Sequence, residues 1–221
     1  MVSQPFEEVE VGITVDLPGA RALFTTVPAG DIRETGADLA ARLGVALRTA
    51  RQVHGNVVTE ALAEVAEVVE ADAIVTTLPG LAPMVMTADC VPIVIAGDGA
   101  VAAVHAGWKG LRDGVIAAAV ERLRGLGAGG ELAAAIGPAA GACCYEVGED
   151  LHALFSARGQ DLRNGRNLDL QGVARLQLQQ VGVAHIMTAD VCTICSEAPR
   201  LHSYRRDGAA AGRQGALVWL S

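Results

Sequence analysis

The sequence predicts a single α+β domain, residues 1–221, in which mixed β-sheets are covered by helices. With 221 residues, of which 51% are hydrophobic and 19% charged, the chain is long enough for one substantial core and short for two. Strand-like and helix-like segments are interspersed, and no low-complexity linker separates them. Asp98-Gly99 between two apolar runs is typical of a β-hairpin, so antiparallel pairing is expected and a purely doubly wound sheet is not.

Short apolar segments predict most of the strands, and helical periodicity predicts four helices. The predicted strands are 12–15, 20–27, 47–53, 57–62, 72–77, 84–88, 91–96, 100–104, 131–137, 185–189 and 215–220. The predicted helices are 35–43, 107–126, 148–158 and 170–181. In the second helix Ile116, Val120 and Leu123 form an apolar stripe, so that face is expected to pack inward.

Composition excludes several classes of partner. The chain has 17 basic and 25 acidic residues, a net charge of −8, and 3% aromatic residues. An acidic chain with few stacking side chains is unlike a protein that binds nucleic acid or an anionic membrane. The acidic start is unlike a signal peptide, and no apolar run has the length of a membrane span. Five cysteines, two of them adjacent, fit reduced thiols, so we expect a cytoplasmic protein.

The segment from Thr87 to Gly110 contains the most informative chemistry. If Gly97 pairs with Ala100 across the turn, position 92 faces position 105. Cys90 and His105 then lie within about two residues of each other at the open end of the hairpin, roughly 7 Å or less along the strand. A thiolate and an imidazole held together in this way predict a site for a metal or a nucleophile.

His54 is a third candidate in this site. Two imidazoles and one thiolate give three ligands for a borderline-soft ion and leave a fourth position for water or substrate. Cys90 and His105 alone would instead form a nucleophile and base that need no metal. The residues are equally compatible with a buried cysteine that packs as a small hydrophobe and with ordinary histidines. On residue chemistry these alternatives stay open.

Several motifs in a fixed order resemble one known family. They are QVHG at 52–55, ADAIVT at 71–76, TADCVPI at 87–93, HAGWKG at 105–110, IGP at 136–138, CCYEVG at 143–148, NLDL at 167–170 and SYRRDG–GR across 203–213. Together they resemble the bacterial multicopper polyphenol oxidase (laccase) family, whose members are now described as purine nucleoside phosphorylases. Two positions depart from the family pattern: Val27 replaces an arginine, and Ala174 replaces an asparagine.

The resemblance implies a fold, a metal site and an activity. The fold is an α/β/β/α sandwich in which the sheets pack together between helices. The metal is zinc, with copper as a further occupant of the same site, bound by His54, Cys90 and His105, which are also the catalytic residues. The reactions are phosphorolysis of adenosine, inosine, guanosine or methylthioadenosine with phosphate, and deamination of adenosine to inosine. Purine nucleosides and phosphate are therefore the expected partners.

The laccase name predicts more metal ligands than the chain contains. A multicopper centre needs on the order of ten histidines, since imidazole is the main copper ligand. The chain has five, so a single-copper polyphenol oxidase is the most that this alternative allows. A metal-independent cysteine hydrolase using Cys90 and His105 is a second alternative. A non-catalytic nucleoside-binding protein is a third, although an unpaired buried thiolate and imidazoles would then reduce stability.

Five further residues are candidates for substrate binding. Lys109 lies at the start of a predicted helix, where amide groups and the helix dipole favour phosphate. Arg205, Arg206 and Arg213 form a second candidate anion site, and Tyr145 is placed to stack on a purine. Each also has a purely structural interpretation. Lys109 would lie in a strand-to-helix turn, the three arginines would form a solvated edge, and Tyr145 would be a packed ring.

Three remaining signals are weaker. Asp89 and Glu146 lie in motifs and are candidate acid–base groups, and Asp89 is also suited to anchoring a turn or orienting a ligand histidine. Cys192 and Cys195 form a CxxC that the sequence leaves without a second pair. We therefore assign no metal site to them on sequence grounds.

Overall fold

Two six-stranded mixed sheets pack face to face between helices. The structure, a computed structural model, describes residues 5–62, 68–197 and 200–221. Its strands are β1 (Glu7–Val9), β2 (Gly12–Leu17), β3 (Ala20–Thr25), β4 (Ala46–Arg48), β5 (Val58–Glu60), β6 (Ala73–Thr76), β7 (Leu81–Thr87), β8 (Val91–Asp98), β9 (Ala100–Ala106), β10 (Gly129–Ile136), β11 (Arg163–Asn164), β12 (Asn167–Leu168), β13 (His185–Thr188) and β14 (Gln214–Leu220). Its helices are α1 (Ile32–Leu43), α2 (Trp108–Asp113), α3 (Val115–Gly125), α4 (Glu149–Ser156), α5 (Leu170–Gln180) and α6 (Tyr204–Asp207).

Both large sheets contain parallel and antiparallel pairs. The first has the order β1-β2-β3-β14-β7-β4 and the second β13-β10-β8-β9-β6-β5, while β11 and β12 form a small separate pair. The parallel pairs are β4 with β7, β5 with β6 and β10 with β13. The other adjacent pairs are antiparallel, including the hairpin of β8 and β9.

Alternating side chains of each strand join different layers. On β8, Ile93 and Ile95 pack in a core with residues of α3 and α5, whereas Val94 and Ala96 face the first sheet. The opposite face of the first sheet packs against α1 through residues such as Ile32. The layers are thus α1, the first sheet, the second sheet, and α3 with α5. The predicted α/β/β/α sandwich is confirmed.

The hairpin has the register that its turn residues predict. Gly97 pairs with Ala100 and Pro92 with His105. Gly99, the second residue of the turn, has φ +72°, a left-handed conformation that glycine adopts without strain. The strands are fully buried along most of their length, so one end of a rigid hairpin carries both Cys90 and His105.

The prediction of one helix over 107–126 was wrong, because this segment forms two helices. Gly114 has φ +83° and ends α2, and α3 begins at the next residue. The predicted apolar stripe lies within α3, and Ile116, Val120 and Leu123 are all buried. The hydrophobic pattern predicted the face correctly but not the left-handed break.

The predicted strand over 47–53 was mostly wrong. Strand β4 ends at Arg48, and a loop then runs to β5. The amides of Val53, His54 and Gly55 donate to the side chain of Asp72 instead of to a neighbouring strand. The short elements β1, β11, β12 and α6 were not predicted, and the other predicted elements differ from the observed ones by a few residues at their ends.

The longest helix in the described ranges is α1, with 12 residues. Among those residues, no helix has the length and hydrophobicity to cross a bilayer.

Candidate metal centre

Strand alternation places Cys90 and His105 on the same face of the hairpin. His105 lies on β9 opposite Pro92, and Cys90 stands two residues before Pro92, with the same side-chain direction. His105 is 3% exposed. The two side chains converge at the end of the second sheet, where β7 of the first sheet contributes Thr87 to the same cavity.

His54 completes the trio from the loop between β4 and β5. It adopts φ +62°, a left-handed conformation that is uncommon for a residue with a side chain. Its ring contacts that of His105 edge to face, with 4.8 Å between the centroids. The potential ligand atoms of His54, Cys90 and His105 all lie within 4.8 Å of one another. Three side chains that are distant in sequence are therefore brought to one point.

Asp72, which immediately precedes β6, fixes both histidines. Its carboxylate is fully buried and lies 2.7 Å from His105 Nδ1. The carboxylate also accepts hydrogen bonds from the amides of Val53, His54 and Gly55, at 3.2, 2.9 and 2.7 Å. The backbone carbonyl of Asp72 accepts the His105 amide at 2.7 Å. With Nδ1 held by Asp72, Nε2 is the His105 nitrogen left for Cys90 or a metal.

The electrostatics of the trio favour a bound cation. Burial raises the pKa of the Cys90 thiol, but hydrogen bonds with His105 and His54 outweigh it and lower that pKa to about 6. Burial lowers the pKa of His105, whereas Asp72 and Cys90 raise it to about 9. In the protein alone, a thiolate thus lies beside an imidazolium near neutral pH. Because the thiolate is the metal-binding form, a divalent ion can replace the imidazolium proton as its counter-charge.

Gly107 allows the three side chains to approach. A Cβ at this position would lie 3.1 Å from both Cys90 Sγ and His54 Cδ2, closer than ordinary van der Waals contact. Glycine is required here for space, since its φ of −72° is open to any residue. The glycine of the HAGW motif thus has a packing role next to the candidate ligands.

The donor set fits a catalytic type of zinc site. In tetrahedral zinc sites, Zn–N distances are about 2.0–2.1 Å and Zn–S about 2.3 Å, so ligand atoms lie about 3.3–3.6 Å apart. Side-chain adjustments of about 1 Å bring the trio to that spacing. Three protein ligands would leave one position for water or substrate, and all three side chains line the adjacent cavity.

A cavity of about 640 Å³ adjoins the trio. It lies within the size range of small-molecule sites. Its lining includes three aromatic rings and four guanidinium groups, those of Trp108, Tyr145, Tyr204, Arg33, Arg51, Arg205 and Arg213. Thr87 lines it too, and its buried hydroxyl has no hydrogen-bond partner among the described residues. The cavity thus combines apolar walls with a few polar groups.

The four cavity arginines differ in how their charge is compensated. Arg33 pairs with Asp31 and Arg51 with Glu70. The pKa of Asp31 is lowered to about 2, chiefly by its hydrogen bond with the Arg33 side chain. Within the described ranges, Arg205 and Arg213 form no ion pair, and their guanidinium groups donate to backbone carbonyls.

Three of the five predicted substrate-binding residues line the cavity, and the other two lie outside it. Tyr145, Arg205 and Arg213 line the cavity, and the Arg205 guanidinium lies 5.0 Å from the centroid of the Tyr145 ring. Lys109 is exposed outside the cavity lining, with its ammonium 5.6 Å from the centroid of the Trp108 ring. Arg206 also lies outside the lining, where its guanidinium binds Asp207 and backbone carbonyls.

The two candidate acid–base carboxylates differ in position. Asp89 lines the cavity, but its oxygens accept the Thr193 hydroxyl and the Arg205 amide, both at 2.6 Å. This matches the anchoring interpretation of Asp89. Glu146 is exposed and pairs with Arg166.

Sequence reasoning missed Asp72, Arg33, Arg51 and Thr87. A signal existed for Asp72, because a charged residue inside the apolar segment ADAIV is expected to be buried and to need partners. No comparable signal marks Thr87 or the two arginines, since their place in the cavity depends on how the sheets pack.

Comparison with known proteins decides the family. A family model described as multi-copper polyphenol oxidoreductase laccase matches residues 28–221. The chain belongs to this family. The resemblance seen in the sequence motifs is thereby confirmed.

Relatives of this laccase-family chain are named purine nucleoside phosphorylase and not laccase. A Pseudomonas aeruginosa protein named purine nucleoside phosphorylase is 36% identical, over 99% of this chain and 89% of that protein. An Aquifex aeolicus protein named purine nucleoside phosphorylase is 44% identical, over 62% of this chain and 66% of that protein. The crystal structure of a Neisseria meningitidis protein covers 99% of this chain and 100% of its own, with a TM-score of 0.80 and 28% identity.

The histidines of this laccase-family chain do not form a multicopper centre. The side chain of His152 binds Asp161, that of His185 faces Glu131, and that of His202 faces the Gly30 carbonyl. In the described part of the chain, two groups have the proximity of metal ligands: the trio and a group of four cysteines. A four-copper relay therefore lacks ligands.

Proposed function

We propose that the protein is a zinc-dependent purine nucleoside phosphorylase that also deaminates adenosine. The observation that carries the proposal is the convergence of His54, Cys90 and His105 at the wall of a cavity that also contains the Tyr145 ring and two arginines, Arg205 and Arg213, without an ion pair among the described residues. Relatives named purine nucleoside phosphorylase support the same substrate class. The proposed substrates are adenosine, inosine, guanosine or methylthioadenosine, with phosphate, in a reducing cytoplasm that keeps the five thiols free.

The purine is proposed to lie against Tyr145. This ring is partly buried, lines the cavity, and is held by the Arg205 guanidinium on one side. An aromatic face that is already fixed loses little side-chain entropy when a base stacks on it. The Thr87 hydroxyl, which has no hydrogen-bond partner within the described ranges, is available to a polar edge of the nucleoside.

Phosphate is proposed to bind between Arg205 and Arg213. Both line the cavity, and within the described ranges neither is neutralised by a carboxylate. The guanidinium fork matches phosphate oxygens, so the two arginines would hold the phosphate in position to attack the anomeric carbon of the ribose. Phosphorolysis then depends mainly on positioning of the two substrates.

His54, Cys90 and His105 would hold the metal, and Asp72 would orient His105. When bound, zinc supplies Lewis acidity and an activated water, which suits hydrolytic attack at the purine C6 in deamination. The chain contributes the orientation of the ligands and the cavity that holds the base next to them. Copper is a further occupant of the same three ligands.

One experiment tests the proposed function directly. Metal-replete protein is incubated with adenosine and phosphate, and adenine, inosine, hypoxanthine and ribose 1-phosphate are separated. We expect adenine with ribose 1-phosphate from phosphorolysis and inosine from deamination, and we expect Cys90→Ala to lose both activities together with the zinc bound by the trio. Phosphorolysis that persists in Cys90→Ala without zinc at the trio would refute the assignment of the trio.

A metal-independent cysteine hydrolase is the second candidate. The observation that favours it is the Cys90 thiolate beside the His105 imidazolium, an arrangement that also activates a nucleophile. The two candidates respond oppositely to two treatments. The hydrolase would survive chelation and be abolished by alkylation of Cys90, whereas the zinc enzyme is abolished by chelation and restored by zinc.

A further inference from the structure

Four cysteines form a second cluster outside the cavity. Cys143 and Cys144 lie in the turn after β10, and Cys192 and Cys195 lie between β13 and α6. Their sulfur atoms are all within 4.8 Å of one another, although 48 or more residues separate the two pairs. The CxxC that the sequence left alone thus has a partner pair, which is the adjacent Cys143-Cys144.

The two cysteine segments are held together by backbone contacts. Cys192 forms a parallel bridge with Ala139, the Ala139 amide donates to the Val191 carbonyl, and the Thr193 amide donates to the Ala139 carbonyl. A Cβ on Gly141 would lie 3.1 Å from Cys192 Cβ and 3.3 Å from Cys143 Sγ. A glycine therefore lies where the segments come closest.

The backbone around Cys192 is arranged to stabilise a thiolate. The Gly141 amide donates to Cys192 Sγ at 3.3 Å. An N–H donor on a sulfur favours its anionic form. CxxC loops of structural zinc sites combine this spacing with thiolate ligands.

We propose that Cys143, Cys144, Cys192 and Cys195 bind one zinc ion as a structural tetrathiolate site. Soft thiolate donors select zinc over harder divalent ions, and four of them complete a tetrahedron with no open position. Each bound thiol releases its proton as its sulfur forms the bond to the metal, so up to four protons are released and the site carries a charge of −2. Sulfur atoms in a tetrahedral site are about 3.8 Å apart, which the observed spacing approaches.

The proposed site ties together a segment of the cavity wall and a second segment that supports that wall. Tyr145 directly follows Cys144, and Thr193, inside the CxxC, donates to the Asp89 carboxylate at 2.6 Å. The other oxygen of Asp89 accepts the amide of Arg205. A metal that fixes both segments would therefore position the Tyr145 ring and Arg205 without touching substrate.

Disulfide formation is the competing interpretation. Cys143 Sγ and Cys195 Sγ lie 3.5 Å apart, beyond the bonded distance of about 2.05 Å. Conversion of such a pair to a disulfide removes two electrons and two protons and requires an oxidant. A disulfide would also remove the ligands from metal binding, so the two interpretations exclude each other.

The test compares zinc content in three proteins purified with zinc under reducing conditions. We expect the double variant Cys143→Ser/Cys195→Ser to contain one zinc per chain fewer than wild type, with a lower Tm and a raised KM for nucleoside. Cys90→Ser is the matched control, because it removes a ligand of the first site and leaves all four cluster thiols. We expect Cys90→Ser to retain one zinc, whose X-ray absorption spectrum shows four sulfur neighbours at about 2.3 Å.

The outcomes separate this proposal from the proposed function. Zinc with an all-sulfur shell in Cys90→Ser supports the tetrathiolate site whether or not the first site binds metal. A Cys90→Ser protein without zinc overturns it, even where the double variant fails to fold. Non-reducing peptide mapping of freshly purified wild type that finds a disulfide among the four cysteines overturns it as well.

Discussion

Replacement of Asp72 by asparagine tests how the candidate metal centre is held. The carboxylate accepts four hydrogen bonds: Oδ1 from the His54 amide and His105 Nδ1, and Oδ2 from the Val53 and Gly55 amides. Asparagine turns one of these oxygens into a donor. In either orientation of the amide, two donors then lose their acceptor.

The expected loss of stability follows from the number of donors that lose their acceptor. A buried donor left unsatisfied costs about 1–3 kcal/mol, so two cost about 2–6 kcal/mol of unfolding free energy. Loss of a carboxylate that orients a ligand histidine also lowers metal affinity by about 10- to 100-fold. Asp72→Asn should therefore be markedly less stable and bind zinc more weakly, since asparagine keeps the shape of the side chain but only one of its two acceptor oxygens.

Two measurements on Asp72→Asn separate these effects. Urea unfolding of chelator-treated protein gives the stability change, and competition with a chromophoric chelator gives the zinc Kd. Asp16→Asn is the matched control, because the Asp16 side chain is 82% exposed. If Asp72→Asn unfolds within about 0.5 kcal/mol of wild type, as a surface substitution does, and binds zinc equally well, the assigned role of Asp72 is wrong.

Three further predictions concern other parts of the site. Gly107→Ala places a Cβ 3.1 Å from Cys90 Sγ and should weaken zinc binding at least severalfold. Gly125→Ala is the control and should bind zinc normally, because the space around its Cβ is open. Equal zinc affinities of the two variants would contradict the packing role of Gly107. Thr87→Val removes a buried hydroxyl that has no partner in the described part of the chain, so it should leave Tm nearly unchanged but raise the nucleoside KM about 2- to 10-fold. An unchanged KM would exclude substrate contact. Asp31 caps α1, so Asp31→Ala should lose about 0.5–2 kcal/mol in urea unfolding. Because the pKa of Asp31 falls from 3.8 to about 2 on folding, the electrostatic part of this difference is complete above about pH 4 and disappears as the pH falls through 2; a difference that does not shrink on acidification would contradict it.

The hairpin shows what local rules predict well. The Asp98-Gly99 turn specified the register, and the register placed His105 opposite Pro92 and near Cys90. Helical periodicity likewise predicted the buried stripe of α3. These features depend on residues that are close in sequence, where turn chemistry and side-chain period act directly.

Features that depend on distant segments were harder to predict. The loop around His54 is shaped by Asp72, so its amides leave the strand pattern that the sequence favours. The break at Gly114 reflects a left-handed residue that apolar periodicity does not reveal. The cluster at Cys192 requires Cys143-Cys144, which tertiary packing alone brings close.

The substrate site was predicted only in part, because it also depends on segments that are distant in sequence. Sequence clustering suggested Arg205, Arg206 and Arg213 as one anion site, but successive residues of a short helix point in different directions. Arg205 reaches the cavity, and Arg206 turns to the carbonyls of the neighbouring loop. Asp31 is the N-cap of α1, the helix that carries Arg33, and it also accepts the Arg213 amide. Arg33 therefore lies near Arg213.

The most direct test of the account is an anomalous difference map, recorded at the zinc edge, from crystals of metal-replete protein. We expect a peak about 2.0–2.1 Å from a ring nitrogen of each of His54 and His105, and about 2.3 Å from Cys90 Sγ, with a fourth position open to the cavity. No anomalous density among these three side chains, in crystals of protein that is active, would contradict the central claim that they hold the catalytic metal.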